Sequence, residues 1–229
     1  MDWKHLAAEL RRRIEAGDLA PGATLPSLNM LAQEHGVSRH TARKAVEHLR
    51  DQGHVLSWQG RGSFVAEPTV AYQIGARTRF RINLNRQGRG AGTQLLDTGR
   101  VHAPAFVARA LQLHPGSPVL RATLLRTIEN RPSMFARHYY DPDRFPEILD
   151  HLKRGDGVTE ALAAHGVADF TRSETTISAR LPSPTEAIGL DIAPTQPVLV
   201  TQGVNVDRRG MGIEVSEAVS RGDKVLLVV

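Results

Sequence analysis

The chain has 229 residues and no cysteine, which allows two modest domains with separate cores and excludes disulfide frameworks, thiolate catalysis and cysteine-ligated zinc. Its 29 lysines and arginines outweigh 24 acidic residues, and the resulting charge of +5 suits a polyanionic partner without proving one. No apolar run reaches membrane-spanning length, and the N-terminal MDWKHLAAELRRR reads as a charged amphipathic helix rather than a signal peptide, so a cytoplasmic location and no membrane partner are expected.

The first predicted helix covers residues 3–16, burying Leu6, Leu10 and Ile14 and leaving Arg11, Arg12 and Arg13 largely outside. Ser27 caps a short helix whose apolar positions Leu28, Leu31 and Ala32 share one face. Gly36 ends it, Val37 packs the corner, and Ser38 caps a third helix. Arg39, His40, Thr41, Arg43 and Lys44 crowd the first turns of that helix, while Ala42, Ala45, Val46 and Leu49 form its buried stripe. Cations at a helix N-terminus oppose the helix dipole, so their placement there points to a polyanion. This is the pattern of a helix-turn-helix recognition helix, whose N-terminal residues enter the major groove. Residues 55–58 then read as a strand, Gln59-Gly60-Arg61-Gly62 as a tight basic turn, and Ser63-Phe64-Val65 as the returning strand. Helix, turn, helix and hairpin in this order make a winged helix, in which the glycines let the hairpin approach a phosphate and Arg61 reach the backbone or minor groove.

The string LPS…LA…GVSRHTAR.A…L…G…GRG.FV resembles the DNA-binding domain of the GntR superfamily of bacterial transcription regulators. The resemblance implies base or phosphate contacts for Arg39, Thr41 and Arg43, with Gln59 and Gly60 at the wing tip. One departure is Leu28-Asn29, where the family has Glu-Arg. Losing an arginine that can grip guanine removes about 1–3 kcal/mol of discrimination, and Asn29 instead favours adenine or a water-mediated contact. His40 is a further non-standard reader. The expected DNA-binding set is Ser27, Asn29, Ser38, Arg39, His40, Thr41, Arg43, Lys44, Gln59, Gly60 and Arg61.

Residues 1–66 are assigned to this domain, 67–74 to a linker, and 75–229 to a second domain. In the latter, residues 94–101, 119–129, 133–140, 169–179, 198–206, 213–220 and 224–229 read as extended, with hairpin turns at Asn130-Arg131 and Arg208-Arg209-Gly210. Residues 105–111, 143–153 and 159–165 read as short helices, with a helical turn at 184–188. The fold class is therefore α+β, a mainly antiparallel sheet decorated with helices. The motifs LHPGSPV (113–119), LRT (125–127), RHY (137–139) and EAVSRGD (217–223) resemble the UTRA effector domain, whose fold is similar to chorismate lyase and which marks the HutC subfamily. Within that subfamily, Arg77-Thr78-Arg79-Phe80-x-x-Asn83-Leu84 is similar to the phosphonate-utilisation repressors of the PhnF-like group.

The resemblance implies effector contacts from Arg126 and Arg137, with Tyr139 beside Arg137 on one face of a strand, and lesser wall positions at Ser173, Thr175 and Glu217. Leu124 stands where many relatives carry a further arginine, which implies either a smaller or less anionic ligand or a different anchoring group such as Arg79. Two readings of the arginines near residue 79 stay open: an oxyanion site, since a guanidinium fork matches a tetrahedral oxyanion, or a segment that is a solvated hinge or touches DNA near the linker. For Arg126 the competing role is an ion pair with Glu129 or Glu174. No G-x-S-x-G or H-E-x-x-H pattern occurs, and no enzyme activity, cofactor or metal is expected. The expected function is a homodimeric repressor that binds a double-stranded DNA operator under control of a small anionic effector, phosphate- or phosphonate-bearing. The alternative effector is a non-phosphorylated metabolite such as an amino-acid catabolite.

Overall fold

The structure is a computed structural model that describes residues 1–58, 62–66 and 69–229. The chain divides into two compact units, Met1–Thr69 and Val70–Val229.

In the first unit, α1 (Trp3–Glu15) starts where the Asp2 side chain accepts the His5 amide. Ser27 caps α2 (Leu28–Glu34) through the Met30 amide, and Ser38 caps α3 (Arg39–Asp51) through the Thr41 amide. Each cap satisfies an N–H that the first helical turn leaves without an internal partner. Gly36, at φ 60°, makes the corner between α2 and α3. The apolar stripes meet in one core that includes Leu6, Leu10, Leu31, Ala45 and Leu49, joined by Val55 and Val65. Those two valines face each other across an antiparallel hairpin of β1 (Val55–Trp58) and β2 (Gly62–Val65).

The second unit is built on an antiparallel sheet of six strands. In chain order they are β4 (Ala91–His102), β5 (Pro118–Ile128), β6 (Arg131–Tyr140), β7 (Thr171–Arg180), β8 (Val198–Val206) and β9 (Gly212–Arg221); in space the order is β4-β5-β6-β9-β8-β7. The turn between β5 and β6 falls at Glu129 and Asn130, both at positive φ, as a two-residue hairpin requires. Helices cover both faces. On one, Ala122 and Tyr140 pack with Ile148 and Leu152 of α6 (Ile148–Lys153) and Leu162 of α7 (Val158–Ala164). On the other, Tyr139 and Val215 pack against Val107 of α5 (Ala105–Ala110), and Phe135 and Val219 against Leu190 of α8 (Pro184–Leu190).

Two elements depart from the sequence reading. Residues 70–73, assigned there to the linker, form β3 (Val70–Gln73), which pairs in parallel with β10 (Val225–Val228). Its partner lies at the far end of the chain, so no local pattern marks it as a strand. The arginine-rich stretch after it contains α4 (Phe80–Asn85). Buried Asn83 of α4 accepts from the Gln73 amide and donates to the Gln73 carbonyl, tying the helix to β3.

Candidate functional site

In the first unit, α3 carries Arg39, His40, Arg43 and Lys44 fully exposed and Thr41 half-buried. Arg39 with Arg43, and His40 with Lys44, stand one turn apart on the helix surface. None of these four forms an ion pair or hydrogen bond among the described residues. Like charges so placed destabilise a helix by a few tenths of a kcal/mol, a cost that a polyanion removes. Ser27 and Asn29 are exposed at the start of α2. The hydroxyls of Ser27 and Ser38 are already engaged as caps, which fixes the helix ends that present the cations. Gln59, Gly60 and Arg61 of the wing tip lie outside the described residues.

In the second unit, the face of the sheet under α4, α6 and α7 bounds a cavity of about 540 Å³. Side chains at every second position supply its floor, among them Leu124 and Arg126 of β5, Ala136 and His138 of β6, and Glu214 and Ser216 of β9. Glu214 is buried and accepts hydrogen bonds from His138 Nδ1, Asn205 Nδ2 and, at 3.3 Å, the Tyr140 hydroxyl. Burial pushes its carboxyl up, but His138, Arg172 and Asn205 outweigh burial and hold it at about 2. His138 Nε2 lies 3.0 Å from an Arg126 Nη2. A guanidinium can only donate, so Nε2 accepts and the imidazole proton sits on Nδ1, towards Glu214. Burial pushes the His138 pKa below its ordinary value, against the pull of Glu214.

Three half-buried guanidiniums thus enter one cavity, with exposed Arg81 also on its lining. Arg126 lies 4.8 Å from the centroid of the Phe80 ring, and its buried Nε has no hydrogen-bond partner. Arg79 stacks 3.5 Å from the Phe170 ring centroid and donates to the Phe170 carbonyl. Arg172 donates to Asn205 Oδ1 at 2.7 Å. It lies across Gly203, where a Cβ would stand 1.7 Å from its Nη1, so only glycine leaves it this berth. Burial lowers the pKa of both Arg79 and Arg172, more than nearby Glu214 restores it. None of the three makes an ion pair among the described residues. Over the whole lining, five basic side chains face three acidic ones, two of the latter exposed: Asp156 on the segment joining α6 to α7 and Glu160 in the first turn of α7.

Of the residues expected at the effector site, Arg79, Arg126 and Thr175 line this cavity. Arg137, Tyr139, Ser173 and Glu217 do not. Arg137 and Tyr139 do share a face, but it is the opposite one. Arg137 donates to Glu186 at 3.0 Å and to Glu217 at 2.9 Å, and Arg180 also grips Glu186. Glu186 is buried, which raises its pKa, yet Arg180, the Ser183 amide and Arg137 bring it down to about 2. Tyr139 packs edge-on against Phe106, and Ser173 donates to the Val204 carbonyl. With helices on both faces, alternation pairs residues correctly without telling which face holds the cavity. Nor does Arg126 pair with Glu129, whose carboxylate accepts the Gly90 amide. The sequence reading missed Tyr72, His138, Arg172, Asn205 and Glu214. A glycine inside a strand, Gly203, was the available signal for Arg172.

Profiles of known families match both units: bacterial regulatory proteins of the gntR family over residues 3–65, and the UTRA domain over residues 86–225. An uncharacterised HTH-type transcriptional regulator of Rhizobium meliloti is 36% identical over 98% of this chain and 93% of its own length. The mannosyl-D-glycerate transport/metabolism system repressor of Escherichia coli is 28% identical, covering 90% of this chain and 87% of that protein. Among solved structures, PhnF from Mycobacterium smegmatis superposes with a TM-score of 0.65 at 25% identity, over 98% of both chains.

Proposed function

Because the chain belongs to the GntR family of bacterial regulatory proteins and carries a UTRA domain, we propose that it is a repressor whose hold on its operator is set by a small anion in the second unit's cavity. The class of protein is a DNA-binding transcriptional regulator, not an enzyme. One observation carries the anionic effector: three guanidiniums enter the cavity without a carboxylate in ion-pair contact, and one holds a buried, unpartnered Nε. A buried cation without its counter-ion is costly, and an anion placed there relieves all three.

A phosphate or phosphonate group is the favoured head, because the guanidinium fork matches its tetrahedral oxygens, and the likeness to PhnF supports the choice. A second reading, a non-phosphorylated anion such as an amino-acid catabolite, draws support from the relative named for mannosyl-D-glycerate, a carboxylate without phosphate. On DNA, α3 supplies Arg39, His40, Thr41, Arg43 and Lys44, with Ser27, Ser38 and Asn29 at the flanks and Gln59, Gly60 and Arg61 from the wing. The regulator acts as a homodimer, reading half-sites one helical turn or a multiple apart. Outer strand β7 supports this, since residues 175–179 form an exposed edge without a charge to discourage pairing with a second copy. The test is DNA binding to the promoter of the adjoining genes, with phosphate, methylphosphonate, aminoethylphosphonate and glucosamine phosphates added in turn. Release by one of them upholds the reading. Tight binding that no anion disturbs removes the effector class and leaves the regulator.

A further inference from the structure

The cavity is far larger than the anionic group its arginines would hold. Its volume of about 540 Å³ lies in the roughly 300–1,000 Å³ range of sites that enclose a drug-sized molecule, and a lone oxyanion fills a small part of it.

The lining tells what the remainder accepts. Two separate apolar clusters reach it: Leu95, Leu152 and Val158 from one, Ile74 and Phe80 from the other. Leu95, Val158 and Ile74 are only partly buried, so the cavity wall keeps apolar surface open. The polar groups at the arginine end are, by contrast, largely committed to one another. Both Glu214 oxygens accept internal hydrogen bonds, and Asn205 both accepts from Arg172 and donates to Glu214. His138 is taken on both ring nitrogens. A chain of ligand hydroxyls would find few free partners at the arginine end; further out the lining sets Thr93, Thr159, Asp156 and Glu160 among the open leucine and valine that an alkyl or aryl group would cover.

Resting on the anion reading above, we infer that the effector is an amphipathic organic anion: a phosphonate, phosphate or carboxylate head against Arg79, Arg126 and Arg172, and an apolar body against Leu95, Val158 and Ile74. Simple phosphate and methylphosphonate then bind as head fragments of the true ligand.

The test is calorimetric titration of the full-length protein with methyl-, propyl-, pentyl- and phenylphosphonate, and with glucosamine 6-phosphate as a hydroxyl-rich control. The expected series tightens about fourfold per added methylene, the equivalent of about 0.8 kcal/mol, until the cavity is filled. The control binds no better than methylphosphonate. Val158→Asn and Leu95→Asn each flatten the series, weakening pentylphosphonate far more than methylphosphonate. A flat series in the unmodified protein, or a control that outbinds pentylphosphonate, overturns the apolar body and leaves the anion site standing. If no phosphonate of any length binds, and no carboxylate of matching length binds either, both the anion site and this inference fall.

Discussion

The two units place their cations in opposite physical settings. On α3 of the first unit, Arg39, Arg43 and Lys44 stand in full solvent; in the second, Arg79, Arg126 and Arg172 line a cavity, pressed on aromatic rings or held by a buried amide. An exposed row suits a long polyanion that brings its own charge density and gives up counter-ions on binding. Enclosed cations suit one small anion, because each is already stripped of part of its water and held in place. On the proposed function, the same residue type would read a polymer in one unit and sense a metabolite in the other.

The widest expected separation comes from Arg126→Ala, which removes the anion response altogether while DNA affinity without anion stays unchanged; titration of both ligands checks it. Arg43→Ala breaks the other side of the comparison. It weakens specific operator binding about five- to 150-fold, the equivalent of about 1–3 kcal/mol, and leaves anion binding intact. A smaller effect is expected at Gly203, where alanine displaces the Arg172 side chain rather than any backbone. Gly203→Ala therefore weakens anion binding with little change in thermal midpoint. If that variant unfolds the second unit instead, Gly203 serves packing and not the cavity.

Arg137 sharpens the contrast within the second unit. It pairs with buried Glu186 on the opposite face, so Arg137→Ala costs about 1–3 kcal/mol of stability and leaves anion affinity alone. Thermal melts and titration separate the two outcomes. Two buried carboxylates, Glu186 on that face and Glu214 on the cavity face, set an acid limit. Glu186 and Glu214 are both lowered from 4.5 to about 2 in the folded chain. Their contribution is complete above the unfolded value and is lost as pH falls from there through about 2. Both tryptophans lie in the first unit and all three tyrosines in the second, so the two can be followed separately. Tyrosine signals should show the second unit losing stability over that window, and Glu186→Gln should flatten the loss.

How much of this was written in the chain follows from how local each signal is. Ser27, Gly36 and Ser38 bound the helices of the first unit with hydrogen bonds spanning three or four residues, so caps and stripes locate its reading face directly. The six main strands were legible for the same reason, since alternation is a property of neighbours. What escaped depends on distant partners. Strand β3 exists because β10 lies beside it, more than 150 residues on. The cavity draws Arg126, His138, Arg172, Asn205 and Glu214 from five different strands, and Arg172 owes its position to an absent side chain at Gly203. Arg137 and Arg126 look alike in sequence, and only the parity of their strands decides which one lines the cavity.

That distinction is the most direct point of attack. DNA binding by the unmodified protein, Arg126→Ala and Arg137→Ala should be followed by fluorescence anisotropy on one operator fragment as phenylphosphonate is added. We expect the anion to shift operator affinity for the unmodified protein and for Arg137→Ala, and to leave Arg126→Ala unmoved. A deaf Arg137→Ala beside a responsive Arg126→Ala would place the effector on the other face of the sheet and contradict the account.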